Sequence, residues 1–240
     1  MIRNWFQKKN EIVFLCDKKY LSSFNYYKPN HSGTFMPEWF KNLSATYEVE
    51  NSHGLKYDLP TARSCYGIKN TITNGIILPL WTDIIIEVYP DKSWGSQCSD
   101  HLTEITGHTR TQHTDLFEKC CLLKIKSPWI IKSEKTTSLY AAQPLYHQGD
   151  ITDFFVLPGF LTFNKQPCST NIFIGIPYKN EPQRIKIRSG FPIVQYVNTT
   201  KEVINIKTQL IDTEMSNSQF IRTTFTNFFQ KQLKMAERNE

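Results

Sequence analysis

Three of the six histidines, His101, His108 and His113, fall within one short segment, interleaved with Asp100, Glu104 and Asp115. Imidazole nitrogens mixed with carboxylate oxygens are the ligand chemistry of Zn²⁺ and Fe²⁺. His113-Thr114-Asp115 has the His-x-Asp spacing that supplies two ligands of a two-histidine, one-carboxylate facial triad. The third ligand would be His147, the one later histidine, with Arg184 or Arg188 as the base for an acidic co-substrate. His147 follows too closely to leave room for the strands that separate such ligands in a β-scaffold. The preferred reading is therefore a polar loop with solvated imidazoles. Metal binding by His101, His108, His113 and Asp115 stands as the alternative. No cofactor is expected, with Fe or Zn as that alternative's metal.

Nucleophilic and phosphate-handling patterns are missing from the sequence. It has no GxSxG elbow, no Cys/His catalytic signature, no GxxxxGK[ST] loop and no GxGxxG. The six cysteines are irregularly spaced and include no CxxC pair. The first residues, MIRNWFQKKNEIVFLC, lack the apolar core of a signal sequence, so the expectation is reduced thiols buried in a reducing compartment. Cys65 and Cys120-Cys121 lie in apolar runs and read as inert core thiols.

The elements that would position any site are mostly strands. Short apolar runs follow one another between Leu122 and Ile176, punctuated by Pro, Gly, Asn and Asp. They end in a closing strand, IKIRSGFPIVQYV, from Ile185 to Val197. Glu11 to Cys16 reads as a first strand, Glu202 to Leu210 as a last one. Ile76 to Trp81 and Ile84 to Tyr89 read as a central strand pair, apolar on both faces. Thr103–Thr106 and Thr109–Thr111 read as a hairpin around Gly107-His108. Pro37 to Leu43 reads as a short helix whose Trp39, Phe40 and Leu43 cover the core. From Ser216 to Arg238 the period changes to helical. Phe220, Phe225, Phe228 and Phe229 form a stripe that docks on the β-domain or meets a partner.

Within the closing strand, Gly190-Phe191-Pro192-Ile193-Val194-Gln195-Tyr196-Val197 resembles the last β-strand of the trimeric dUTPase and dCTP-deaminase fold. Pro158-Gly159-Phe160 is similar to that family's Pro-Gly-aromatic element, but Leu157 stands where its Asp is expected. The likeness implies a nucleotide-dependent enzyme. Read from the residues, it is one of strand design, with a glycine at a bulge and Gln195 reaching across a sheet.

Composition narrows the remaining classes. Apolar residues make up 40% of the 240 and aromatic ones 13%, ample for a buried core. The net charge is +6, but Lys and Arg never run longer than two, which argues against a dedicated nucleic-acid surface. No apolar run approaches the ~18 residues of a membrane span.

A second resemblance covers about residues 35–200. Met36-Pro37-Glu38-Trp39-Phe40, Arg63-Ser64-Cys65 leading to Ile76-Ile77-Leu78-Pro79, Ser127-Pro128-Trp129-Ile130-Ile131-Lys132 and Gly190 to Gln195 together resemble a family of uncharacterised tailed-bacteriophage proteins. The likeness departs at Thr137-Ser138-Leu139. It implies a phage source but no reaction. The expected fold is an all-β, jelly-roll-like sandwich or small barrel, with a short N-terminal helix and a C-terminal α-helix. Residues 1–60 would pack on a β-core of residues 61–212, followed by a helix over 213–240. The expected function is a non-enzymatic structural or interaction protein, with a metal- or nucleotide-dependent enzyme as the alternative. Its partner would be a protein (a second copy, or a phage or host protein), not nucleic acid or membrane. It would act in the cytoplasm of the infected host or in the virion. Arg63, Trp129 and Gln195 are candidates for a ligand or partner site.

Overall fold

The apolar runs of the sequence become strands of a mostly β, sandwich-like protein. The computed structural model describes residues 10–108, 114–148, 153–163, 167–200 and 203–215. In chain order the strands are β1 (Asn10–Asp17), β2 (Asn30–His31), β3 (Thr46–Glu50), β4 (Lys56–Pro60), β5 (Ile76–Pro79), β6 (Ile84–Val88), β7 (Trp94–Cys98), β8 (Ile105–Gly107) and β9 (Cys120–Ile125). They continue with β10 (Trp129–Ser133), β11 (Thr137–Ala142), β12 (Phe155–Val156), β13 (Gly159–Phe163), β14 (Cys168–Ser169), β15 (Ile172–Pro177), β16 (Gln183–Ile187), β17 (Pro192–Asn198) and β18 (Ile204–Ile211). Short helices α1 (Leu21–Tyr26), α2 (Glu38–Asn42), α3 (Tyr66–Thr73), α4 (Thr114–Lys119) and α5 (Leu145–Gln148) lie between them.

Four sheets share one core. Their orders are β14, β10, β1, β18; then β13, β11, β17, β5, β2; then β12, β15, β9, β8; and β16, β6, β7. The hairpin of β3 and β4 stands apart as a two-stranded sheet. Among the described residues no sheet closes on itself, so the architecture is an open set of packed sheets rather than a small barrel. β1 lies inside the core, antiparallel to β10 and parallel to β18. The largest apolar cluster runs from Ile12 to Ile204, with Phe14, Leu78, Leu123, Ile131 and Ile174 fully buried within it.

The closing strand is not continuous: β16 pairs with β6 in one sheet and β17 with β5 in another. Likewise β5 and β6 do not pair with each other; each runs antiparallel to one half of the closing segment. The corner is held by Leu80, whose N–H donates to the Phe191 carbonyl and whose carbonyl accepts from Gly190, both at 2.7 Å. Gly190 takes φ +84° there, a conformation open to glycine without strain. The Asp83 carboxylate accepts from the backbone N–H and hydroxyl of Ser189 at 2.8 and 2.9 Å, which holds its pKa below the ordinary carboxylate value. Strands that switch sheets at a bend are how stacked sheets turn corners. Alternation alone cannot reveal the switch, because β5 is buried on both faces and β6 is apolar except for Glu87.

Other expectations also change. β8 pairs with β9, because the apolar Cys120–Ile125 strand offers it a buried edge, while residues 109–111 of the expected hairpin lie outside the described residues. Phe40 is buried as expected, whereas Trp39 of the same helix is 41% exposed. A helix of five residues has room for only one inward position. Cys65 is exposed at the start of α3, while Cys16, Cys120 and Cys121 are buried and Cys98 and Cys168 are half-buried. The stripe of Phe220, Phe225, Phe228 and Phe229 lies outside the described residues.

Candidate functional site

The histidine segment separates into structural pieces. Asp100 Oδ1 accepts from the backbone N–H groups of Leu102 and Thr103, and Oδ2 from the Thr103 hydroxyl, at 2.6 to 2.9 Å. It caps a turn that leaves His101 exposed. Glu104 forms an ion pair with Lys126 at 2.5 Å. His108 donates its backbone N–H to the Leu122 carbonyl and packs its ring on Phe173, with centroids 5.0 Å apart. Asp115 lies in the first turn of α4, where a carboxylate complements the helix dipole. His113 lies outside the described residues. Among the described residues no group of three or more His, Cys, Asp or Glu is arranged to hold a metal ion.

Arg63, Trp129 and Gln195 are brought to three separate places, each with a structural task. The Arg63 guanidinium donates to the carbonyls of Phe40, Lys41 and Leu43, closing the C-terminal end of α2. Trp129 is fully buried, edge-on to Phe14 at 6.3 Å and tilted against Phe24 at 5.9 Å. Among the described residues its indole N–H has no acceptor. Gln195 is buried, and its amide donates to the carbonyls of Thr71 at 2.8 Å and Asn74 at 2.7 Å and to the Ser32 hydroxyl at 3.3 Å. It reaches from β17 to the end of α3 and to Ser32, not across a sheet as its sequence context suggested, because the open carbonyls nearest its buried amide belong to that helix end.

Close to that amide, His147 of α5 is buried with its ring facing the carbonyls of Ser32 and Ile72, closing a good hydrogen bond to neither. Burial pushes its pKa below the ordinary histidine value, against the milder pull of the two carbonyls. His147 is therefore remote in role from the metal-ligand position considered for it.

A cleft of about 370 Å³ opens where β7, β8 and β9 end, walled by Trp94, His108, Phe117 and Tyr178, with Cys121 and Lys92 among its lining. The turn between β6 and β7 places Lys92 at φ +67°, and its ammonium sits 5.7 Å from the Tyr178 ring centre. The Cys121 thiol is pushed up to about 11 by burial, which keeps it protonated and a poor nucleophile near neutral pH.

The most distinctive surface feature is the β3–β4 hairpin, which the sequence reading passed over. Its register pairs Tyr47 with Leu59 and Val49 with Tyr57, so these four side chains share one face. Glu48 faces Asp58 and Glu50 faces Lys56 on the other face, with a Lys56–Glu48 ion pair at 2.8 Å. Tyr47 and Tyr57 are 51% and 49% exposed and Leu55 at the tip 65%; Val49 and Leu59 are half-buried. Beyond isolated contacts, neither strand packs on any other described element. The loop is well made: Asn51 Oδ1 accepts from the N–H groups of His53 and Leu55, and Gly54 takes φ +76°. Its base is firmly mounted. The Thr61 hydroxyl donates to Ser44, the Ser64 hydroxyl donates to the Ala45 carbonyl at 2.6 Å, and Arg63 ties the adjoining chain to α2. The signal was present in TYEVENSHGLKYDLP, an alternating run on each side of an Asn-Ser-His-Gly turn.

No family model matches the chain, and no curated protein or solved structure matches it. Among the described residues no helix is long and apolar enough to cross a membrane.

Proposed function

We propose that this chain is a non-catalytic structural or interaction protein that engages a protein partner through the β3–β4 hairpin. The observation that supports this is the exposed face of Tyr47 and Tyr57, flanked by Val49, Leu59 and Leu55. An isolated two-stranded hairpin is marginally stable in water. Here the clamps at Thr61, Arg63 and Ser64 hold one in place although, among the described residues, its strands make no more than isolated contacts with other elements. Tyrosines on a rigid mount supply contact area with little conformational entropy to lose, as interface anchors do. The jelly-roll arrangement of the sandwich, the phage source, and a place in the host cytoplasm or the virion belong to the same proposal. They rest on the sequence resemblance. The basic excess is scattered, so the proposed partner is a protein and not nucleic acid.

Two measurements test the hairpin's role together. Replacing Tyr47 and Tyr57 by Ser should leave the melting temperature within about 2 °C, because exposed side chains contribute within about 0.5 kcal/mol each. A photoreactive phenylalanine analogue at position 57 should give a discrete protein adduct in producing cells, while the same analogue at Tyr89, on the β6–β7 hairpin, should not. A large loss of stability with no adduct at 57 would mean that the hairpin serves only its own fold.

A further inference from the structure

We infer that the cleft between the β6–β7 turn and α4 binds a small molecule made of a flat aromatic ring and an anionic group. This goes beyond the hairpin's docking role, since cleft and hairpin share no residue. The cleft holds about 370 Å³, at the small end of the roughly 300–1,000 Å³ of small-molecule sites. That is room for one ring system with a short polar arm, and not for a helix of a partner. Every lining residue falls among the described ones.

The walls call for a ring. Trp94 stands at the start of β7, Phe117 in α4 and Tyr178 just after β15, so three separate elements each bring one aromatic side chain to the cleft. All three are half-buried. His108 holds this wall in place, with its ring edge-on to Phe117 at 6.4 Å and tilted on Phe173 at 5.0 Å. Gly107 keeps the space beside Trp94 clear: a Cβ there would already touch the indole at 3.5 Å, and a longer side chain would press on it. Rings from several directions suit a ligand that can stack on one and meet another edge-on.

Lys92 calls for the anion. It is the one non-glycine residue among the described ones with a positive φ. Closing the turn uses only backbone: the Lys92 N–H donates to the Tyr89 carbonyl and the Tyr89 N–H to the Ser93 carbonyl, both at 3.0 Å. Glycine or asparagine would meet that φ at lower cost, so the turn itself does not ask for lysine. The ammonium lies on the cleft wall beside the Tyr178 ring, and among the described residues it has no carboxylate partner. Asp91, the acidic residue of the lining, is engaged within its own turn, where Oδ1 accepts from the Ser93 N–H at 2.9 Å and the Ser93 hydroxyl at 2.6 Å. Lys92 is therefore the charge left to meet a ligand. The Cys121 thiol, protonated near neutral pH, gives no covalent attachment, so binding is reversible.

Calorimetric titration of the full chain with naphthoate, uridine monophosphate and cyclohexanecarboxylate is the test. At least one of the two aromatic anions should bind with a dissociation constant below about 1 mM. The tighter of the two tells the source, an aromatic acid or a nucleotide. Cyclohexanecarboxylate, which has the charge without the flat ring, should bind at least about tenfold more weakly. Lys92→Asn suits the φ of the turn and should weaken the aromatic anion about tenfold, while Lys92→Arg should bind it like the parent. That split is one a misfolded variant cannot give, and circular dichroism checks that both variants melt like the parent. Neither aromatic anion binding below about 1 mM, cyclohexanecarboxylate binding equally well, or Lys92→Asn binding as tightly as the parent each overturns the inference. The titration and the adduct at position 57 fail independently, because they read different residues.

Discussion

Replacing Gln195 by Met distinguishes a structural amide from a ligand-binding one. Met keeps the length and shape of the side chain and removes both donors. In the structure those donors serve the Thr71 carbonyl, in the last turns of α3, and the Asn74 carbonyl just beyond it. Asn74 also accepts from the Ser32 hydroxyl at 3.0 Å, so it keeps one partner, whereas Thr71 loses its side-chain donor. Two hydrogen bonds at about 1 kcal/mol each, with a further desolvation cost for the Thr71 oxygen, give a loss of about 2–4 kcal/mol. For a chain of this size that is a drop of roughly 5–15 °C in melting temperature. Thermal unfolding followed by circular dichroism reads it directly. The loss should be the same with or without deoxynucleotides, since the amide is occupied by the protein itself. If the Met variant melted within 2 °C of the parent and only its response to a nucleotide changed, the structural assignment of Gln195 would be wrong.

Two further outcomes follow from buried geometry. Gly75 sits at φ +85°, and a Cβ there would lie 2.0 Å from the Tyr196 carbonyl oxygen, so Gly75→Ala must part β5 from β17. A loss of about 3 kcal/mol or more is expected, visible as aggregation or a strongly lowered melting temperature; a parent-like melting curve would contradict this backbone approach. His147 is held neutral in the folded state, so the unfolded chain takes up its proton first. Its contribution is complete above the ordinary histidine value near 6.5 and is lost as pH falls from there toward the lowered folded value. Urea midpoints between pH 7.5 and 5 should fall for the parent and fall less for His147→Phe; parallel curves would refute a buried neutral imidazole.

How much the sequence determined is clearest strand by strand. The alternation and apolar runs place β1, β9, β10, β11, β15 and β18 close to where they form, because a strand's two faces are written locally in a period of two. The Thr73-Asn74-Gly75 turn is equally local, since only glycine meets the positive φ cheaply. That Gln195 finds partners inside the protein is also local, because a long amide in an apolar strand must, whereas their place at the end of α3 instead of across a sheet is not.

Tertiary structure alone decided the pairing. β5 is apolar on both faces and β6 is so except for Glu87, so nothing in their own residues says that they part company at Trp81-Thr82-Asp83 and each take half of the closing segment. The histidine cluster dissolved for a related reason. Nearness in sequence brings Asp100, His101 and His108 onto one segment, but Asp100 is drawn into a turn and His108 onto Phe173 by contacts the chain makes only when folded. Trp39 and Phe40 are neighbours of similar hydrophobicity, and the direction of a five-residue helix sends one inward and the other into solvent. The β3–β4 hairpin shows both halves at once. Its alternating pattern is local and legible, yet the same pattern would suit a strand buried on one face. Only the folded arrangement leaves Tyr47 and Tyr57 of that face exposed, because among the described residues the four core sheets pack without it.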